Sequence, residues 1–538
     1  MKKFSNTKAF EFMTLFVMVI GTVIGAGIYI KNTEVLKATQ NPIIGIILWA
    51  IVGIVCVLCV LVFMEISSAT KHFGNGTIAN WAKIFVNRKT ASYFSLLYTI
   101  IIWPAMYSLF AGTFIFYLLK LMNVEMSSGT QLAIYLGLGI FSMIMLFLFN
   151  AFLPAGSKWV QVIGNAFKFI PLFVALIAGF CMINDNSAMF NNGYKDSTWS
   201  TSDWEPSSFF RGFGGILLSF DGFYLIANSQ KTAKHKEVVP KALMAGMTFA
   251  ALFYVLMAVS LFLGSPDGSI FELFAKMSGG NATVARVIPA IIMMLICLLN
   301  LNSFTMFSMS NLESDVEAKL VYTGVRRGKI SNFKSGLVQL TASIISYSIY
   351  ILMGFFITRN GYGGWDSAKH AIDQAVTDYT GIMGSVAAIL SFAMVDILIF
   401  ACLINRRTNK VKVEKYKGVT ILGTISGIAI AIFVICGIYT FIDSDPTHST
   451  KFSDTTGMYF LILFIVMMVF VTIVFFIQEA LFKKYPFKDG FGGYLTEEDP
   501  MPLLIAINPI KNYFTKKGQE EVKQYEQQDK PKNKRKRN

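Results

Sequence analysis

Three ionisable side chains, Lys168, Asp221 and Asp396, stand well inside long apolar runs of the chain. A charge at the centre of a bilayer costs at least about 2.5–3.5 kcal/mol, so each marks a place where ion or ligand chemistry is to be sought. Lys168, in Asn165-Ala166-Phe167-Lys168-Phe169-Ile170-Pro171, can load and release a proton if its surroundings open alternately to two sides. The plainer reading is an interfacial lysine that snorkels toward the headgroups. Asp221 can steady an amine, pair with Lys168, or cap free N–H groups. Asp396, in Ala393-Met394-Val395-Asp396, can pair with polar groups at the end of its run.

Two glycine-interrupted segments surround this chemistry. The first apolar run contains Gly21-Thr22-Val23-Ile24-Gly25-Ala26-Gly27-Ile28, and each glycine weakens a helix by about 1 kcal/mol relative to alanine. Backbone that leaves the helix at bilayer depth persists only where protein or a polar cavity satisfies it. A helix broken here presents carbonyls from its first half and N–H groups from its second, and the latter favour an anion such as a carboxylate. Gly21-x-x-x-Gly25 also serves helix packing, so this segment alone leaves two readings open. The sixth run decides between them. It reads Gly214-Gly215-Ile216-Leu217-Leu218-Ser219-Phe220-Asp221-Gly222-Phe223, interrupted in the same way, with an acid at membrane depth. Matching interruptions in two halves of a membrane protein point to a binding site between inverted repeats.

The elements that must position these residues are transmembrane helices. At about 20 apolar residues per crossing, the sequence predicts twelve spans: 10–30, 43–66, 92–119, 132–153, 160–183, 209–228, 242–264, 285–310, 335–357, 381–404, 418–442 and 457–482. Lys and Arg residues on the side of the N-terminus outnumber those on the other side about two to one, which places both termini in the cytoplasm. Met1-Lys2-Lys3 and the small residues Gly25-Ala26-Gly27 mimic a cleavable signal, but cleavage would discard the first interruption, and the segment is read as a span. The spans form one transporter domain over 10–482, after a short cytoplasmic N-terminus at 1–9. Loops 184–208 and 358–380 are long and face outward. The tail, 483–538, ends in Lys530-Pro531-Lys532-Asn533-Lys534-Arg535-Lys536-Arg537. It is expected to be partly disordered and able to meet anionic lipid.

Composition excludes the main alternatives. Of 538 residues, 54% are hydrophobic and only 15% charged, against about 25% charged in soluble proteins. The net charge of +15 therefore belongs to loops and tail, and no nucleic-acid partner is expected. The six cysteines lie in apolar runs, and Cys56-x-x-Cys59 reads as small filler rather than a metal or redox pair. His72, His235, His370 and His448 fall in loops. No H-E-x-x-H, P-loop or G-x-S-x-G occurs, so neither an enzyme nor a cofactor or metal site is expected. Ser303, Thr305 and Ser308, with Asn300 and Asn302, read as interhelical hydrogen-bonding groups of the eighth span rather than as an ion site.

The first-helix sequence, together with Ser219-Phe220-Asp221-Gly222-Phe223 and Val239-Pro240-Lys241-Ala242, resembles the amino acid–polyamine–organocation (APC) superfamily. The resemblance covers about residues 8–482. It implies an all-α, leucine-transporter-like fold: five-helix inverted repeats at about 10–183 and 209–404, with two extra helices at 418–482. It further implies a plasma-membrane amino acid permease working by alternating access, as proton-coupled uptake or exchange; a polyamine or organic-cation carrier is the alternative. By resemblance, the substrate meets Thr22, Ile24, Gly25, Ala26, Gly27, Phe220, Asp221, Gly222 and Phe223. The carboxylate lies at Gly25–Gly27, the amine at carbonyls near Ile24 and Phe220–Gly222, and Lys168 is the proton-coupling group. The chain departs from the pattern at Ser229-Gln230-Lys231, where acids are common, and near Asn311, where an arginine is common.

Overall fold

The computed structural model describes residues 7–70, 76–123, 126–183, 187–190, 209–210, 212–225, 235, 237–323, 330–361, 372–442 and 456–484. Among these residues all regular structure is helical. The first half holds α1 (Lys8–Val23), α2 (Ala26–Thr39), α3 (Pro42–Ser68), α4 (Ile78–Phe85), α5 (Arg88–Leu97), α6 (Trp103–Met122), α7 (Ser128–Phe152) and α8 (Pro154–Cys181). The second holds α9 (Phe213–Phe220), α10 (Val238–Gly264), α11 (Ile270–Met277), α12 (Ala282–Glu317), α13 (Asn332–Gly361), α14 (Ile372–Thr408), α15 (Val419–Ile442) and α16 (Thr456–Lys484).

Side chains and prolines start these helices. Asn41 Oδ1 accepts from the N–H groups of Ile43 and Ile44, with Pro42 in the first helical position of α3. Thr77, Asn87, Ser127 and Asn281 cap α4, α5, α7 and α12 in the same manner. A π-helical stretch, Tyr98–Ile102, joins α5 to α6 just before Pro104. A proline removes a donor from the helical ladder, and a local change of winding absorbs the loss.

Ten helices among the described residues are long and apolar enough to cross a membrane, counting α5, the π stretch and α6 as one. The expected spans at 10–30 and 209–228 are not among the ten because neither is a single helix; their apolar pieces are the shorter Glu11–Val23 and Gly215–Leu225. Other expectations shift at their ends. The helix of the eighth expected span, α12, continues to Glu317, and the supposed outer loop at 358–380 is in part helix, since α13 runs to Gly361 and α14 starts at Ile372. The short helices α4 and α11, amphipathic and outside the long apolar runs, have no counterpart among the expected spans. Of the loop 184–208 only 187–190 are described, and the tail beyond Lys484 lies outside the described residues.

Burial separates an inner group from an outer one. The α5–α6 span is 78% buried along its most apolar stretch, and that of α16 only 11%. The outer faces carry Ile421, Ile435, Phe476 and Ile477 exposed, as expected where lipid is the solvent. Inside, α6 packs on α12, and α10 packs on both α3 and α1. Buried charges that the sequence did not single out join the ends of helices. Glu65 of α3, fully buried, accepts from Arg406 Nε at 2.9 Å and from the Tyr416 N–H at 3.2 Å. Arg88 is bidentate to Glu479. All six cysteines are free thiols, five of them buried.

Candidate functional site

Both glycine-rich segments leave the helix. α1 ends at Val23, Gly25 takes φ −122°, ψ −149°, and α2 starts at Ala26 with no side-chain cap. α9 ends at Phe220, Asp221 is extended, and Gly222 takes φ +88°. That left-handed conformation is open to glycine and strained for other residues. The two interruptions touch: a Cβ on Gly27 would lie 2.9 Å from the Ser219 Cα, closer than real atoms pack. Only glycine permits the start of α2 to cross the end of α9.

Freed backbone groups find specific partners. Lys168 Nζ donates to the Gly21 carbonyl at 2.5 Å, on the turn where α1 gives out. The Tyr254 hydroxyl of α10 lies 2.7 Å from the Val23 carbonyl and 3.0 Å from the Ser219 carbonyl, so one phenol serves both interruptions. The Gly25 N–H points back at the Tyr254 oxygen. Lys168 and Asp221 do not pair. Lys168 is committed to Gly21, and Asp221 Oδ1 accepts from the Tyr224 hydroxyl at 3.1 Å. Asp396 stands apart on α14, with Oδ1 buried and without a hydrogen bond.

A cavity of about 680 Å3 opens above this crossing. Thr22, Gly25 and Gly27 line it from α1 and α2, Ser219 and Asp221 from the other interruption, and Asn300 from α12. Ile24, Phe220, Gly222 and Phe223 are not in its wall. Phe220 packs on Trp49 and Tyr254, and Phe223 on Phe63 and Tyr224. Phe110 and Phe304 supply the aromatic wall instead, stacked at 5.4 Å. In isolation they were two phenylalanines among 49, and no local signal separates them from core residues.

The mouth lies where α2, α6 and α10 end, with Lys31, Glu34, Lys37, Lys120 and Asp267 around it. Lys31 pairs with Glu34 at 2.6 Å. Beside the mouth, Glu272 on α11 is pushed up to about 7, first by its hydrogen bond with Asp267 and then by burial. At the opposite face Lys8 pairs with Glu237 at 2.8 Å, and Glu11 accepts from the His235 N–H at 2.9 Å, tying the start of α1 to the approach to α10. The Lys8 hydrogen bond holds Glu237 down at about 2. On the way to that face Asn165 packs against Gly21, and Ser157, Asn150, Gln161 and Asn302 form a buried hydrogen-bonded cluster. Asn302 thus acts as the interhelical group expected of it, and Ser308 meets Tyr107 at 3.0 Å.

Residues 10–471 match the family described as amino acid permease. The chain belongs to that family, within the APC superfamily. It is also similar to an uncharacterized protein of Mycoplasma pneumoniae, 22% identical over 458 residues, which cover 76% of this chain and 80% of that protein. The permease is thus a multi-pass membrane protein of a transporter family rather than an enzyme. Among its described residues no cluster of His, Cys, Asp and Glu has the geometry to hold a metal ion.

Proposed function

We propose that the permease is a secondary active transporter that carries amino acids across the plasma membrane by alternating access. The observation that carries this reading is the floor of the cavity, where Gly25 and Gly27, at the uncapped start of α2, and Asp221 line one space. A helix N-terminus suits a carboxylate, and a carboxylate beside freed carbonyls suits an ammonium. Only a zwitterion presents both charges a few ångströms apart. The substrate carboxylate sits at Gly25, Ala26 and Gly27, and its amine at Asp221 and the carbonyls near Ile24 and Phe220–Gly222. Phe220 and Phe223 hold the second interruption in place from behind.

In this reading the two interrupted segments count as spans one and six of twelve, and each opens a five-helix inverted repeat. Both termini are cytoplasmic, the mouth at Lys37, Lys120 and Asp267 faces outward, and the basic tail meets anionic lipid. Lys168 couples transport to protons. Its bond to the Gly21 carbonyl links the protonation of one side chain to the position of α1, the piece that must move for the opposite face to open. Asp221, in the wall with no lysine or arginine paired to it among the described residues, also favours a second reading: a polyamine or other organic cation on the same fold.

The experiment is competition in liposomes reconstituted with the purified protein. Uptake stimulated by an inward proton gradient and blocked by α-amino acids, with putrescine ineffective, is the expected result. Polyamine exchange in a protein that binds no amino acid would overturn it in favour of the second reading.

A further inference from the structure

Behind the cavity floor runs a line of buried polar groups in which Lys168 takes no part. Asp221 accepts from Tyr224 at 3.1 Å, and Tyr224 accepts from Tyr98 at 2.7 Å. One helical turn before Tyr98 stands Ser95, which donates to Asp315 Oδ2 at 2.5 Å; Thr77, the cap of α4, donates to Oδ1 at 3.2 Å. Asp315, Ser95, Thr77, Tyr98 and Tyr224 are all buried. The line therefore joins a carboxyl group in the cavity wall to a second one in the last turns of α12, at the face away from the mouth. Tyr98 belongs to the π-helical stretch, a kind of irregularity that concentrates at functional sites.

We infer that Asp221, Tyr224, Tyr98 and Asp315 form a proton relay between the cavity and the opposite face, with Asp315 as its inner protonation site. This rests on the transporter reading but replaces nothing in it, since Lys168 remains the group that reports on α1. Carboxyl and hydroxyl groups can each donate or accept according to protonation and rotation, so every member can take a proton on one side and give one on the other. In the arrangement observed Tyr98 and Tyr224 donate toward the cavity, whereas Ser95 donates toward Asp315. Inward passage reverses the bonds in turn: a protonated Asp221 gives its proton to the Tyr224 oxygen as Tyr224 gives its own to Tyr98. Tyr98 then passes one toward Ser95 and Asp315, which releases it at the inner face. Tyr98 and Ser95 stand one turn apart on the same helical span, and the step between their hydroxyl groups runs through bridging water.

A further observation marks the Tyr98 end of the line. Ser391 Oγ of α14 is buried without a settled hydrogen bond, yet it faces Asp221, Tyr98 and Tyr224 together. A free hydroxyl at such a junction can follow whichever neighbour changes charge. The remaining groups nearby are committed elsewhere or hold fixed charge. Cys56 of α3 lies close to Asp221, Lys83 donates to the Ala318 carbonyl at 2.8 Å, and Arg88 pairs with Glu479. Lys319 lies near Lys83. Among the described residues neither carboxyl group of the relay has a lysine or arginine in salt-bridge contact, so neither is held as a fixed partner of a cation.

The test uses the full-length permease with Tyr98→Phe, Asp315→Asn and Asp315→Glu. Amino acid counterflow, which needs no net proton movement, is expected to stay within about twofold in Tyr98→Phe and Asp315→Asn, while accumulation driven by a proton gradient falls at least about tenfold. Asp315→Glu restores accumulation, which a merely structural role would not require. Infrared difference spectra of the purified protein across the pH range read the site without transport: a protonated-carboxyl band present in the wild type is lost in Asp315→Asn. Wild-type proton dependence and pH profile in both Tyr98→Phe and Asp315→Asn, or no carboxyl band assignable to Asp315, would overturn the relay. Absence of amino acid counterflow in the wild type refutes the substrate reading instead, and the infrared titration then decides the protonation site alone.

Discussion

Replacing Tyr254 by phenylalanine removes one oxygen and leaves a side chain of the same shape in a fully buried position. That oxygen holds the Val23 carbonyl at 2.7 Å and the Ser219 carbonyl at 3.0 Å, in the last turn before each interruption. A buried acceptor left without a partner costs about 1–3 kcal/mol, and two carbonyls share this hydroxyl. The penalty falls on the broken geometry that positions Gly25, Gly27 and Asp221, so it appears as lost substrate affinity, about fivefold to a hundredfold at 1.4 kcal/mol per factor of ten. Tyr347→Phe is the matched control. Tyr347 is as deeply buried and donates to the Tyr135 carbonyl at 2.6 Å, on helices α13 and α7 away from the cavity wall. Binding of radiolabelled amino acid to the detergent-solubilised proteins, with thermal melting of each, separates the effects. Both variants should lose stability, and only Tyr254→Phe should lose affinity. Equal affinities for wild type and Tyr254→Phe would refute the claim that this phenol holds the interruptions in their binding geometry.

Three more outcomes follow from the same geometry. Lys168→Ala deletes the donor to the Gly21 carbonyl and should weaken the dependence of uptake on the proton gradient; an unchanged pH profile removes the coupling role and leaves the fold standing. Gly25→Leu sends a side chain toward Asn300, whose Nδ2 lies 2.9 Å from the site of a Cβ, and should abolish uptake while the protein still reaches the membrane; full activity would disprove the carboxylate placement. Glu272 titrates at about 7 beside Asp267, so rising pH adds one negative charge at the mouth. A unit charge about 10 Å away in water is worth about 0.4 kcal/mol, about twofold, so arginine should compete better and glutamate worse above neutral pH. Glu272→Gln should flatten both curves, and unchanged curves in that variant would exclude the mouth as their source.

The amino-acid sequence by itself determined the solvent and the places where helix must fail. Runs of some twenty apolar residues can be satisfied only in lipid. Three glycines in Gly21–Gly27 and four near Asp221 lower local helix stability enough for other groups to claim the backbone. Both interruptions are observed, at Ile24–Gly25 and Asp221–Gly222, and Lys168 was legible because an isolated charge in an apolar run is rare. What only the tertiary structure decided is which atom each freed group meets. No local pattern singles out Tyr254, Phe110, Phe304 or Asp315, because their contacts are with partners 35 to 231 positions away in the chain. Composition and periodicity are local quantities, whereas a hydrogen bond across two helices depends on how those helices cross. The same reason keeps Phe220 and Phe223 out of the cavity wall: a side chain next to a break faces whichever side the following backbone turns away from, and that turn is set at Gly222 by packing against Thr22.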